Sequence, residues 1–416
     1  MLKLRRAIVV EAEPAPPGAT PSAAPASAGG AAPADLAAPE QRLFVELSDA
    51  PGTRRPAIAD VGLLGRTEVG DEVIVNVEAL DLGLGSGGFD VVHVNLTRGL
   101  AAGATPEMPA AHVMKLNYTS LQHTLAPVEE AARSGADAAS SGLGLPLERP
   151  VGVLALHGQL AAVAWAFAAA APDRRLGYIQ TGGGALPGGH SHAVRELRGR
   201  GLLAGHVTAG AAFGGEGEAI TTEGALHHGI RALGWDAVVC GPGPGIVGSA
   251  SPLGHGGLAA LDSAHAALAL GAPALIVARM SSGDERARHR GISHHTLTVL
   301  DLLLEPVTVA LPAGMRSPVG ADLRAGLDSV FGDESSARPA LARGVERPVR
   351  ITRHDWRRAT VDLPGYAASG LPARTMGRTL SEDPLFFGAA LAGGVVLAEL
   401  TAGVLREGQG TPGAAA

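Results

Sequence analysis

At 416 residues, 46% hydrophobic and 18% charged, the chain has enough apolar mass for one large core or two smaller ones, and its length favours two to three domains. A net charge of −7 with no clustered Lys/Arg run excludes the basic face that nucleic-acid binding requires. A single cysteine, Cys240, excludes an intramolecular disulfide framework and a cysteine-based zinc cluster, and fits a reducing cytoplasm.

The opening "MLKLRRAIVVEAE" has basic residues followed by "AIVV". That run is far shorter than the roughly 7–15 residues of a signal-peptide core, so it reads as a first strand. Residues 13–40 are a Pro/Ala/Ser/Gly tract with almost no large apolar side chain. Such a segment cannot bury enough surface to offset its ordering entropy, and a disordered insert between two strands is expected. The segments "LRRAIVVEAE", "QRLFVELSD", "DEVIVNVEALDL" and "FDVVHVNLT" carry the alternation and β-branched content of short strands. They predict a β-rich domain over residues 1–100.

Residues 101–149 form a junction segment containing "MKLNYTSLQH", where Lys115, Asn117 and Tyr118 fall together in a chain whose only other lysine is Lys3. Extended alternation there places Lys115 and Asn117 on one side and Leu116 and Tyr118 on the other. Ligand clefts favour domain junctions, so Lys115, as a point charge, and Asn117 are expected ligand contacts. A structural ion pair is the competing role for Lys115.

From Pro150 the texture changes to unbroken apolar runs such as "VGVLALHG", "DAVVCGPG" and "PALIVARM", alternating with helix-like segments of about 12 residues. This pattern marks a parallel sheet covered on both faces over residues 150–320. Residues 321–400 add a strand-like sequence, "VRITRHD", and a helix near Pro384 to Leu400; residues 401–416 read as a flexible tail. The apolar "FFGAALAGGVVLAELTAGVL" is interrupted by Glu399 and glycines, which favours a helix packed on the body over a membrane span. The expected fold is α/β: an N-terminal small β barrel or sandwich, then a Rossmann-like three-layer α/β/α domain with a mainly parallel sheet.

In such sheets ligands bind beyond the C-terminal strand ends, and the segments there are rich in glycine and histidine. Glycine exposes backbone N–H groups, which suits an anion. The candidate contacts are Thr181, Gly182, Gly183 and Gly184; Glu216 and Thr221; Gly241, Gly243, Gly245 and Ser249; and Ser281 with Ser282. None of these loops carries the Gly-Lys-Ser/Thr of a P-loop or the spacing of a dinucleotide fingerprint. Plain tight turns are the bland alternative, and helix capping is the alternative for Ser281, Ser282 and Asp284.

Most of the 15 histidines lie between His157 and His295. His157 and His255 are the candidates for proton transfer. A metal-dependent reading draws on His190, His192, His255 or His289, although the spacings fit known metal motifs poorly. The adjacent pairs His227/His228 and His294/His295 diverge by about 100 degrees on a helix, so one member of each is expected to face a given site. Asp262 and His265 share a helix face, where a simple hydrogen bond is the bland reading. Cys240 reads as a buried structural cysteine.

The runs "VGDEVIVNVEALDLGLGSGGFDVVHVNL", "HVMKLNYTSLQ", "LGYIQTGGGALPGG", "GGEGEAITTEGAL", "CGPGPGIVGSASPLGHGG" and "RMSSGDERARHRGISHHT" resemble the uncharacterised bacterial family catalogued as domain of unknown function 3866. The resemblance spans about residue 1 to about residue 400 apart from the insert; it implies one family architecture and no activity. Three functions follow as expectations. The first is binding of, or action on, a small anionic, phosphorylated or nucleotide-like ligand at the sheet's C-terminal edge. The second is a non-catalytic scaffold or regulator, and the third a metal-dependent hydrolase. No cofactor is assigned, neither nucleic acid nor membrane is an expected partner, and self-association is left open.

Overall fold

The computed structural model describes residues 2–14, 40–83, 88–99, 111–131, 143–313 and 353–408. Most of the expected insert, the polar stretch "FGDESSARPALARGVERP" and the last eight residues lie outside the described residues. The chain divides into two compact units: Met1–Pro127 with Pro187–Arg195, and Val128–Leu186 with Glu196–Ala416.

The first unit holds a closed barrel of β1 (Leu4–Ala12), β2 (Glu40–Leu47), β3 (Arg54–Asp60), β4 (Glu72–Asn76) and β5 (Asp90–Asn95), in the order β1-β2-β3-β5-β4. Alternation decides its interior: Ala7 and Val9, Leu43 and Val45, and Val73 and Val75 all point inward and are buried. A short hairpin follows, β6 (Val113–Lys115) paired with β7 (His123–Leu125). The strand stops at Lys115. Leu116 and Tyr118 take positive φ values of 53° and 62°, and the Thr119 N–H donates to the Leu116 carbonyl at 3.1 Å. Extended alternation therefore fails beyond Lys115, whose side chain is buried while Asn117 is exposed. A turn replaces the expected strand face.

The second unit is Rossmann-like. Its parallel sheet contains β8 (Val151–Leu154), β9 (Leu176–Thr181), β10 (Gly205–Ala209), β11 (Gly217–Ala219), β12 (Ala237–Pro242) and β13 (Ala274–Val277), flanked by a small antiparallel pair, β14 (Met280–Ser281) with β15 (Gly291–Ile292), and completed by β16 (Thr308–Pro312) and β17 (Asp355–Ala359). The order is β11-β10-β9-β12-β8-β13-β16-β17. Strand β8 is central, its successors build outward on one side, and β12 returns between β9 and β8 before the chain crosses to β13.

Both sheet faces are covered, as the burial of every residue in β8, β9, β10, β12 and β13 requires. Val151 and Val153 belong to a core that includes Ala260 and Ala264 of the helix Ala259–Ala269. Gly152 faces the other way, where an added Cβ would lie 3.2 Å from Leu397 Cδ2 of the C-terminal helix Pro384–Gly408. That helix is the one described element long and apolar enough to cross a membrane, and most of its apolar surface is buried. It also packs on the helix Leu160–Ala170 and on β16 and β13.

Candidate functional site

The chain reverses its direction of growth around β8, so the segments after β12 and β13 emerge on either side of that strand. A crevice at such a reversal is where open α/β sheets hold ligands.

Several glycines after these strands serve loop packing. The Ala185 N–H donates to the Pro244 carbonyl at 2.6 Å, and the two backbones touch. A Cβ on Gly184 would lie 2.2 Å from the Gly243 carbonyl oxygen, and one on Gly243 would lie 2.2 Å from that of Ala185. Gly183 and Gly256 meet in the same way, at 2.6 and 2.1 Å from each other's carbonyl oxygens. The loops after β9 and β12 are locked together and to the approach to Ala259–Ala269. Because backbone atoms form both sides of the contact, Gly184→Ala is expected to cost about 1–3 kcal/mol. Gly182→Ala, with nothing within 4 Å of its Cβ, should change stability by less than about 1 kcal/mol. Urea denaturation of the two variants checks the pair.

Beyond this lock, four histidines gather at the ends of β12 and β13. His255 precedes the turn into Ala259–Ala269, His289 closes the loop joining β14 to β15, and His294 and His295 open the helix His294–Leu302. The His255 ring stacks on His295 at 3.6 Å between centroids, and the His289 ring lies 4.9 Å from both His294 and His295. Both members of the adjacent pair thus enter one cluster, against the expectation of one. Their own rings are 4.5 Å apart; in the first helical turn they fill the wedge between His255 and His289.

The backbone that places them is specific. Met280 pairs with Ile292 and Ser281 with Gly291, which brings the two ends of the loop together. The Ser293 N–H donates to the Arg279 carbonyl at 2.9 Å, and the Arg279 N–H donates to Thr296 Oγ1 at 2.9 Å. Ser293 caps the helix through its side chain. Arg279, only 3% exposed, is thereby laid against the rings, where its Nη1 donates to His295 Nδ1 at 2.8 Å.

Three guanidinium groups, Arg279, Arg286 and Arg378, stand here with two carboxylates, Asp284 and Asp383. Asp284 receives Arg286 through two bonds of 2.9 Å, Arg378 at 3.4 Å and Arg279 at 3.8 Å. Burial pushes the Asp284 carboxyl up, but the Arg286 hydrogen bonds and the neighbouring cations outweigh it and hold it far below the usual range. Burial lowers Arg279 to about 10, against the raising effect of Asp284. Burial first, then neighbouring positive groups, pushes His255 down to about 4 and His289 to about 3, and lowers His294 and His295. Burial and the neighbouring cations thus favour the uncharged form of all four imidazoles.

Some of its polar atoms are unmatched. Among the described residues no hydrogen-bond partner meets Arg279 Nε or His294 Nε2; His255 has the Pro252 carbonyl as a backbone hydrogen-bond partner, which acts against the burial that lowers its pKa.

The remaining expected site residues are placed as follows. His157 lies against Tyr178 and the Pro242 carbonyl, its Nδ1 3.3 and 3.2 Å from them, and burial lowers it to about 4. Glu216 pairs with Arg198 through two hydrogen bonds, and Thr221 caps the helix Thr222–His227 by accepting from the Gly224 N–H at 2.9 Å. Thr181 is buried at the end of β9, Gly241 lies within β12 against Leu154, Gly245 makes a turn at φ 72°, and Ser249 Oγ accepts from the Ser251 N–H at 3.1 Å. Ser281 and Ser282 donate to Asp383. Lys115 and Asn117 are in the first unit, as are His190, whose Nε2 is 3.2 Å from Asp60, and His192, whose Nε2 is 3.4 Å from Glu40. His265 accepts from the Leu304 N–H at 3.2 Å, and burial pushes the Cys240 thiol well up, leaving it unreactive.

Arg279 and Asp383 hold places in this cluster that residue patterning did not single out, whereas Asp284 was read with Ser281 and Ser282 as a helix cap or ligand contact. Their signal was faint: one arginine ending an apolar strand, and one aspartate before a helix-opening proline.

A family model described as "Protein of unknown function (DUF3866)" matches residues 56–394. No curated protein and no solved structure matches the chain.

Proposed function

The chain belongs to the DUF3866 family, and from that premise we propose that the protein binds a small oxyanion, a phosphorylated or nucleotide-like metabolite, at the arginine and histidine cluster on the C-terminal edge of the parallel sheet. One observation carries this reading: among the described residues the buried Arg279 Nε and His294 Nε2 have no hydrogen-bond partner, at a place where guanidinium groups outnumber carboxylates. Each buried polar group left unmatched costs about 1–3 kcal/mol, and an oxyanion accepting from the Arg279 guanidinium recovers that cost there. Guanidinium also suits the planar, two-oxygen edge of phosphate and carboxylate.

Support for an apolar or base-like portion comes from the loop between Gly245 and His255. Val247 and Leu253 are 74% and 58% exposed there, and the loop is tied back on His255 by a bridge with Gly248. An aromatic or sugar-bearing ligand held at the cluster would cover them.

Thermal unfolding in the presence of inorganic phosphate, sugar phosphates and nucleotides, at matched ionic strength, tests the proposal. At a ligand concentration about 100-fold above Kd, stabilisation of about 2.7 kcal/mol is expected, a rise of several degrees in Tm. Arg279→Met and Arg279→Lys should abolish or sharply reduce the rise while keeping the far-ultraviolet spectrum. If none of the three anion classes raises Tm for the wild type, the proposal fails.

A further inference from the structure

We propose that His289, His294 and His295 form a three-imidazole site for a divalent cation of the zinc class, opened when an oxyanion draws Arg279 away from His295. Each of the three rings offers one nitrogen, and these atoms lie within 4.8 Å of one another. Zinc bonds to histidine of about 2.0–2.1 Å place tetrahedral ligand atoms about 3.4 Å apart. Small side-chain rotations close the difference, because the backbone of all three is already set by the β14–β15 pair and the Ser293 cap.

The two outer rings are prepared for ligation. His289 Nδ1 lies 2.8 Å from the Ser293 hydroxyl. Donating its proton there leaves the Nε2 lone pair to the metal, the arrangement in which ligating histidines are normally held. His294 Nε2 is buried with no partner among the described residues. Three imidazoles also leave a fourth position, as in hydrolytic and hydrating zinc sites.

His295 carries the control. A guanidinium can only donate, so its 2.8 Å contact makes His295 Nδ1 the acceptor and puts the ring proton of the neutral form on Nε2. A metal on Nδ1 must replace Arg279. A metal on Nε2 must send the proton to Nδ1, where Arg279 cannot accept it. Either way Arg279 has to leave, and a second cation beside it is repelled unless negative charge enters. An oxyanion does both, taking the guanidinium and offsetting the charge. This coupling rests on the anion-binding reading; the three-imidazole geometry, and the weaker uptake expected without an oxyanion, do not.

The test uses the full chain, purified without a polyhistidine tag and stripped with a chelator. Zinc affinity is measured by competition against a chromophoric chelator, with and without inorganic phosphate, and cobalt absorption reports a tetrahedral site. One equivalent is expected, with phosphate tightening uptake by about 5- to 150-fold. His289→Ala and His294→Ala should weaken it by more than the roughly 10- to 100-fold typical of outer-shell losses, and His265→Ala should not. In Arg279→Met, zinc binding should persist and its dependence on phosphate should vanish. No uptake, or uptake unchanged in both His289→Ala and His294→Ala, overturns the site. Zinc affinity indifferent to phosphate in the wild type overturns the coupling. Phosphate stabilisation of the metal-free wild type judges the anion reading separately, so the two failures are distinguishable.

Discussion

Asp383→Ala is expected to lower the unfolding free energy by about 3–5 kcal/mol, one of the two largest single losses we anticipate. The carboxylate is fully buried and satisfies a whole loop. Its Oδ2 accepts from Ser281 Oγ at 2.6 Å and Arg378 Nε at 3.0 Å, and its Oδ1 from the Ser282 N–H at 2.8 Å, Ser282 Oγ at 3.3 Å and the Gly283 N–H at 3.4 Å. Truncation leaves these donors and one guanidinium without their anion. Asp383→Asn should recover part of the loss, because it keeps the shape and one acceptor. Chemical denaturation measures both variants; a loss below about 1 kcal/mol for alanine, the size of a surface ion pair, would refute this account. The residues expected from sequence to cradle an external anion, Ser281 and Ser282, thus already cradle one supplied by the chain.

Gly177→Ala is the second large effect. Trp235, 1% exposed, lies on a floor made by two glycines paired across adjacent strands, Gly177 of β9 and Gly205 of β10, with Gly229 on another side. A Cβ on Gly177 would sit 1.8 Å from the indole Cε3, on Gly205 2.7 Å from Cζ2, and on Gly229 2.4 Å from Cε3. The ring cannot stay where it is, and displacing a buried tryptophan costs on the order of 3 kcal/mol or more. Trp235→Leu removes the ring in the way. The double variant should therefore lose less than the sum of the singles, by about 0.5–3 kcal/mol. Strict additivity in denaturant titrations would exclude the clash as the cause.

The parallel sheet was legible because a strand buried on both faces must be apolar throughout: "VGVL", "LGYIQT" and "AVVCGP" became β8, β9 and β12. The barrel was legible for the opposite reason, its strands alternating between core and solvent. The turn at Leu116 to Thr119 was not, since positive φ in leucine and tyrosine has no local signature and persists only when the surrounding structure holds it. Nor could the four-histidine cluster be read from spacing. His255 follows β12 and the others follow β13, and these strands become near neighbours only because β8 separates them in the sheet.

The glycines show the same division. Their enrichment after the strands was visible, but Gly184 and Gly243 answer to each other's backbone, and Gly177 and Gly205 to an indole far along the chain. By itself the sequence determined what is local: which segments are strands or helices, which faces are apolar, and which segments are rich in glycine and histidine, all consequences of periodicity and burial. Tertiary structure alone decided which glycines meet, which carboxylate fills the Ser281 loop, and which histidines gather around Arg279. Those contacts depend on strand order and through-space packing, which no spacing along the chain encodes.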